Sequence, residues 1–171
     1  RRPARSPGPD AMIHPSAIVE TTRIGRGVTI GPFAVIAADV ELGDGAVVHP
    51  HVVIGRGVVI GAGTEIYPGA YIGKEPRATS AIARAPTFER RTAIGANCSI
   101  GPHVVIYCDV LIGDDTLVGD AASIREQSRI GAHCVVGRHV TINYHCMVGD
   151  HTKIMDHSWM AGNVEIGQGC F

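Results

Sequence analysis

The sequence predicts an all-β fold, a single-stranded parallel β-helix of hexapeptide repeats, with about eight coils and one inserted loop. Three observations predict it. An aliphatic residue (Ile, Leu, Val or Met) stands at every sixth position from Met12 to Ile72, and again from Ile94 to Ile166. Four places after each comes a small or β-branched residue, such as Ala34, Val52, Cys98 or Val140. Glycine is 22 of 171 residues, about twice its usual share. A six-residue period matches neither an α-helix nor a meander of hairpins; it fits short strands separated by tight corners. Three hexads close one turn, so 24 hexads make eight coils, a prism about 38 Å long at 4.8 Å per coil. One large and one small side chain per hexad fill the interior, and each coil buries its core only against the next.

Along the chain, residues 1–11 (RRPARSPGPDA) carry three Arg and three Pro without periodicity and read as a tail or leader. The β-helix domain spans residues 12–171. Its first run ends at Ile72. From there to Ile94 is 22 residues where six suffice, so 16 extra residues leave at a corner and return, a loop at about 74–93. The segment holds Lys74, Arg77, Arg84, Arg90 and Arg91 around two prolines. Long loops on a rigid scaffold tend to carry function. The second run ends at Phe171, on the first side of a new coil, with no polar or helical cap. The expectation is that the native polypeptide continues, because an open strand edge invites further pairing.

Composition narrows the function. Lys plus Arg (15) balance Asp plus Glu (16), for a net charge of -1 and a pI near 6.8. That argues against an electrostatic footprint for nucleic acid or an anionic membrane. No apolar run approaches the ~20 residues of a transmembrane helix. The five cysteines are odd in number and form no CxxC pair, which disfavours a disulfide framework and a zinc knuckle and fits a reduced, cytoplasmic protein. Four of them (Cys98, Cys134, Cys146, Cys170) occupy the small interior position, where cysteine acts as a small hydrophobe.

The histidines are not scattered. His133, His139, His145, His151 and His157 recur every six residues, each just before a small interior residue, hence at an outward corner. Successive members fall on different corners. His133 therefore stacks under His151, and His139 under His157, with His103 two coils earlier in the second column. A corner that tolerates any polar residue would explain each one singly. On one face the outward residues read Ala17, Val35, Val53, Tyr71, Val105, Ser123, Thr141 and Trp159, provided the insert preserves the coil count. So apolar a stripe calls for burial against a symmetry mate.

The run IHPSAIVETTRIGRGVTIGPFAVIAADVELGDGAVVHPHVVIGRGVVIGAGTEIYPGAYIG resembles the start of hexapeptide-repeat acyltransferases, in particular the lipid A UDP-N-acetylglucosamine acyltransferases. The stretch VGDHTKIMDHSWMAGNVEIGQGCF is more similar to sugar-nucleotide N-acetyltransferases. The resemblance implies a left-handed helix, a homotrimer with sites between subunits, and acyl-CoA or acyl carrier protein as co-substrate with no tightly bound cofactor. The acceptor it implies is a small-molecule nucleotide sugar. In those enzymes a catalytic His lies two residues before the small core residue. The matching triplet here is Tyr144-His145-Cys146, preceded by Asn143, so a tyrosine stands at the base position. Either His145 serves as base, or the nucleophile is a sugar amine for which positioning suffices. The resemblance also implies that Gly162 offers its N–H to the thioester carbonyl, with Asn163 stacked one coil beyond His145.

The expected site is thus Asn143, Tyr144, His145 and Gly162 for catalysis. For substrate binding it is Lys74 and Arg77 on phosphate, Asn163, and His139 and His157. No metal ligand is assigned. Two alternatives differ in class: a carbonic-anhydrase-like zinc site, with stacked histidines such as His139 and His157 and a third from a neighbour, and a non-catalytic β-helical scaffold.

Overall fold

A computed structural model describes residues 8–81 and 85–171; Arg84 of the inserted loop and residues 1–7 lie outside the described residues. The described residues wind into a left-handed β-helix of 24 short strands, arranged as three eight-stranded parallel sheets that form the faces of a prism. The first face runs from Met12–Ile13 to Lys153–Ile154, the second from Ile18–Val19 to Trp159–Met160, the third from Arg23–Ile24 to Glu165–Ile166, so the strand of the final hexad is the third side of the eighth coil and not the first side of a new one. No helix among the described residues is long and apolar enough to cross a membrane.

The strands form because the hexad puts one aliphatic inward on each face. Ile36, Ile54, Ile72, Ile106, Ile124 and Ile142 stack in register along the interior of the second face, and all are fully buried. The small positions do more than fill space. Thr64, Thr116 and Thr152 donate through Oγ1 to a carbonyl of the next coil, and Cys98, Cys134 and Cys146 do the same through Sγ, at 3.1–3.2 Å. Cysteine fits there as a hydroxyl substitute as well as a small hydrophobe.

The first coil differs from the expected phase. Ile13 pairs with Ile30 and Val19 with Ile36, so Met12 and Ile18 face outward instead of inward. Both dipeptides are doubly aliphatic, and the chain regains phase through a shortened corner in which Thr21 turns inward and donates to the Val40 carbonyl at 2.6 Å. Ile18 therefore replaces Ala17 at the head of the outward stripe, and Ala17 packs against the core.

The corners explain the histidine period. Seven of the nine histidines, among them His103, His133, His139, His145, His151 and His157, have φ between 55° and 61°. The residue before the small position must adopt the left-handed conformation, which His, Asn and Asp tolerate better than other non-glycine residues. Periodic histidine is thus a backbone requirement, and a site must be argued from contacts. The insert leaves at the corner between the second and third faces, after Tyr71–Lys74 and before Thr92–Ile94. Tyr71 still pairs with Val105, so the coil count is preserved.

Candidate active site

The corner between the second and third faces gathers most of the expected residues on one prism edge. Asn143, Tyr144 and His145 form it in the seventh coil, Gly162 and Asn163 in the eighth, and Lys74 starts the insert in the fourth. The ladder N–H of Asn163 donates to the Tyr144 carbonyl at 3.1 Å and stacks the two corners. His145 is exposed, and its Nδ1 lies 2.8 Å from Asn163 Oδ1. An amide oxygen only accepts, so Nδ1 is the donor in this contact, and in the neutral ring the lone pair is then on Nε2. Asn143 faces the backbone: its Nδ2 donates to the Met160 carbonyl at 3.0 Å.

Gly162 owes its identity to its neighbour. A Cβ there would sit 2.6 Å from Cε2 and Cζ of Tyr144, so the tyrosine ring lies over the glycine, whose own backbone is outside the left-handed region. The N–H of Gly162 makes no backbone hydrogen bond to a described residue. The equivalent N–H elsewhere shows what it seeks. Those of Arg26, Ala96, Ala132 and Arg138 each donate to an aspartate one coil further, at 2.7–2.8 Å. This corner amide therefore points along the prism, toward a place one coil further where a negative oxygen can accept from it.

The insert folds back along the same edge. Glu89 N–H donates to Asp109 Oδ2 at 3.2 Å, Gln127 Nε2 to Thr87 Oγ1 at 3.4 Å, and Arg90 pairs with Glu75 at 2.7 Å. Lys74 Nζ lies 4.9 Å from the centre of the Tyr107 ring. Arg77 is exposed; neither it nor Lys74 forms an ion pair with a described residue. Burial, with Glu75 nearby, pushes the Cys108 thiol up to about 12, so it remains protonated and is no nucleophile.

His139 and His157 stack as expected, at 5.1 Å and 4°, and so do His133 and His151, at 4.8 Å and 9°. They stand on the other two prism edges, and the chain alone does not bring His139 or His157 to Tyr144. Lone pairs of parallel rings run side by side instead of converging on a metal ion. Among the described residues no group of three or more His, Cys, Asp or Glu is placed to hold one. Sequence reasoning missed one pair on the site edge, Arg125 and the buried Glu126. Its only signal was a glutamate at a corner place held elsewhere by exposed aspartates such as Asp44 and Asp150.

Residues 21–56 and 109–144 match the bacterial transferase hexapeptide (six repeats) family model. No curated protein matches the chain. Among solved structures, the chain is similar to LpxA, a UDP-N-acetylglucosamine acyltransferase from Bacteroides fragilis 9343, with TM-score 0.72 and 28% identity over 95% of this chain. It spans 65% of that protein's length. The UDP-N-acetylglucosamine acyltransferase from Campylobacter jejuni gives TM-score 0.62 at 20% identity, covering 91% of this chain and 67% of that one. The acetyltransferase domain of PglB from Neisseria gonorrhoeae FA1090, in complex with acetyl coenzyme A, gives 0.53 at 18%, covering 93% and 56%. The last two likenesses are of fold.

Proposed function

We propose that this chain, a hexapeptide-repeat β-helix whose residues 21–56 and 109–144 match the bacterial transferase hexapeptide model, transfers an acyl group, acetyl in the simplest case, from a thioester donor to an amino group of a nucleotide-linked sugar. The observation that carries this reading is the eighth-coil corner. There Asn163 Oδ1 accepts from His145 Nδ1 and fixes its tautomer, and the adjacent Gly162 N–H is the donor that would meet a developing oxyanion. The sugar amine attacks the thioester carbonyl, a C–N bond forms, and negative charge moves to the carbonyl oxygen beside Gly162. Nε2 of His145 takes the proton from the new ammonium. As the C–S bond breaks, the electron pair leaves on sulfur and the same proton completes the thiol. Tyr144, at the place where similar enzymes carry histidine, packs the amide corner instead of acting as base. Asn143 braces the corner through the Met160 carbonyl.

Acyl-CoA, or an acyl carrier protein, supplies the thioester in the cytoplasm. Lys74 and Arg77 on the insert approach the nucleotide phosphates. The second face supports a homotrimer. Its outward column, Ile18, Val35, Val53, Tyr71, Val105, Ser123, Thr141 and Trp159, contains no charge, whereas the first face carries Glu65 and Lys153 and the third Arg23, Glu41, Arg129 and Glu165. Threefold packing of second faces sets the His139–His157 edge of one subunit beside the Tyr144–His145 edge of the next, at the same coil level. Those histidines then line the cleft from across the interface.

The test is thiol release from acetyl-CoA in the presence of an amino-sugar nucleotide. His145→Ala should lower turnover by roughly 10² or more, the usual scale for a lost general base. Unchanged turnover would remove His145 from the chemistry. A stable monomer in light scattering would remove the shared cleft.

A further inference from the structure

One coil before Tyr144, the same prism edge holds the ion pair that the sequence reading missed. Arg125 donates to Glu126 in a fork, Nε to Oε2 at 2.9 Å and Nη2 to Oε1 at 3.2 Å. The Glu126 side chain is 1% exposed, that of Arg125 32%. The guanidinium carbon lies 4.8 Å from the centre of the Tyr107 ring, the ring that Lys74 also approaches. Taking a carboxylate out of water is expensive, and an apolar pair at such a place is often no less stable. What an apolar pair does not do is hold a guanidinium in one orientation. Glu126 occupies the Nε–Nη2 edge and Tyr107 lies beside the guanidinium, while Nη1 donates to no described residue. The neighbouring acids are engaged elsewhere, Glu75 with Arg90 and Asp109 with Arg129. Lys74 in the fourth coil and Arg125 in the sixth leave, against Glu126, one positive charge in excess, with the guanidinium one coil from the candidate chemistry.

We propose that Arg125, positioned by Glu126 and Tyr107, forms with Lys74 a phosphoryl-binding subsite on this edge. Lys74 and Arg125 flank the Tyr107 ring from the coil before and the coil after it, at 4.9 and 4.8 Å from its centre, so a diphosphate with one phosphoryl group on each cation matches the spacing, the planar fork taking its group through the Nη1 side. Arg77, exposed and in no ion pair with a described residue, is not part of this subsite. That the phosphoryl group belongs to a substrate of acyl transfer rests on the function proposed above; that the edge binds phosphoryl groups does not. Both a nucleotide sugar and coenzyme A carry such groups, and binding experiments separate them.

Calorimetry on the full chain with pyrophosphate, UDP and coenzyme A as probes tests the subsite. Arg125→Gln and Lys74→Gln should each weaken pyrophosphate binding about tenfold, the scale of one lost charge-assisted bond. Arg125→Lys keeps the charge and loses the fork, so it should still bind several-fold more weakly than the parent. Glu126→Gln frees the guanidinium and should act in the same direction. Should that variant not fold, Tyr107→Leu carries the positioning test. Loss confined to UDP assigns the subsite to the acceptor, and loss confined to coenzyme A assigns it to the donor; both support the proposal. Parental affinity in Arg125→Gln, or no binding of any probe by the parent at millimolar concentration, overturns it. If no acyl transfer is found while Arg125-dependent pyrophosphate binding persists, the function proposed above fails and the subsite stands. In an active enzyme, Arg125→Gln should raise KM for one substrate with kcat little changed.

Discussion

Replacing Gly162 by alanine is the sharpest single test of how the eighth-coil corner is built. The added methyl carbon would lie 2.6 Å from Cε2 and Cζ of Tyr144 and 3.0 Å from Cε1, where ordinary contact begins at 3.4 Å. The ring must therefore withdraw by about 0.8 Å, and because it is the far end of a side chain with two rotatable bonds, it can do so. Overpacking of this kind costs roughly 1–3 kcal/mol, and the freedom of the ring places the cost near 1. No backbone strain adds to it, since the glycine is outside the left-handed region. Denaturant unfolding of Gly162→Ala, Tyr144→Ala and the double variant measures the coupling. The glycine substitution should cost about 1 kcal/mol in the parent and close to nothing when Tyr144 is already alanine. Additive effects in the cycle would show that the ring does not rest on Gly162 and would refute the reasoning. Acyl transfer should fall in Gly162→Ala and recover in part in the double variant, because the displaced ring, not the methyl group, obstructs the amide.

Two further outcomes follow from the corners. Asp156 is held below the ordinary carboxylate range by the Arg138 guanidinium and N–H, and Asp44 by the N–H of Arg26, then its guanidinium charge. A depressed folded value means that the unfolded chain binds more protons in acid. This stability is therefore present above the ordinary carboxylate value, and it is lost as pH falls through the folded value. Tm should decline below about pH 4, and the Asp44→Asn, Asp156→Asn double variant should show a shallower acid limb, measured by thermal scans from pH 2 to 7. Thiol labelling provides a second check. Burial raises the Cys98, Cys134 and Cys108 thiols and Cys146 is buried, leaving Cys170 exposed. A disulfide reagent at pH 8 should modify one thiol per folded chain and five after denaturation; fast reaction of a second thiol in the folded chain would contradict the packing.

The architecture was legible because the constraint is repetitive. An aliphatic every sixth residue can be satisfied only by strands that stack in register, and even the insert could be sized by subtraction. The first coil was not legible: Met12–Ile13 and Ile18–Val19 offer an aliphatic in either phase, and the choice falls to a hydroxyl at Thr21 that closes a short corner. The site was legible in part. His145, Gly162 and Asn163 were placed together because residues 18 apart share a corner. The reason for Gly162 was hidden, since it depends on where the Tyr144 ring lies. Arg125 and Glu126 were invisible for a related reason. Burial at a corner is decided by side chains stacked from the neighbouring coils, and periodicity describes only the interior.

Equal spacing along one edge has a consequence for how such a protein can change. Removal or duplication of an 18-residue coil between Arg125 and His145 would leave every strand with an equivalent partner above and below. It would shift the gap between phosphoryl group and base by one rung of about 4.8 Å. The corner thus works as a gauge with discrete settings. On the function proposed, an acceptor of different length would be met by a whole coil more or less, while the small-position hydroxyls and thiols, each bonded to the next coil's carbonyl, would re-form the same joint at every setting.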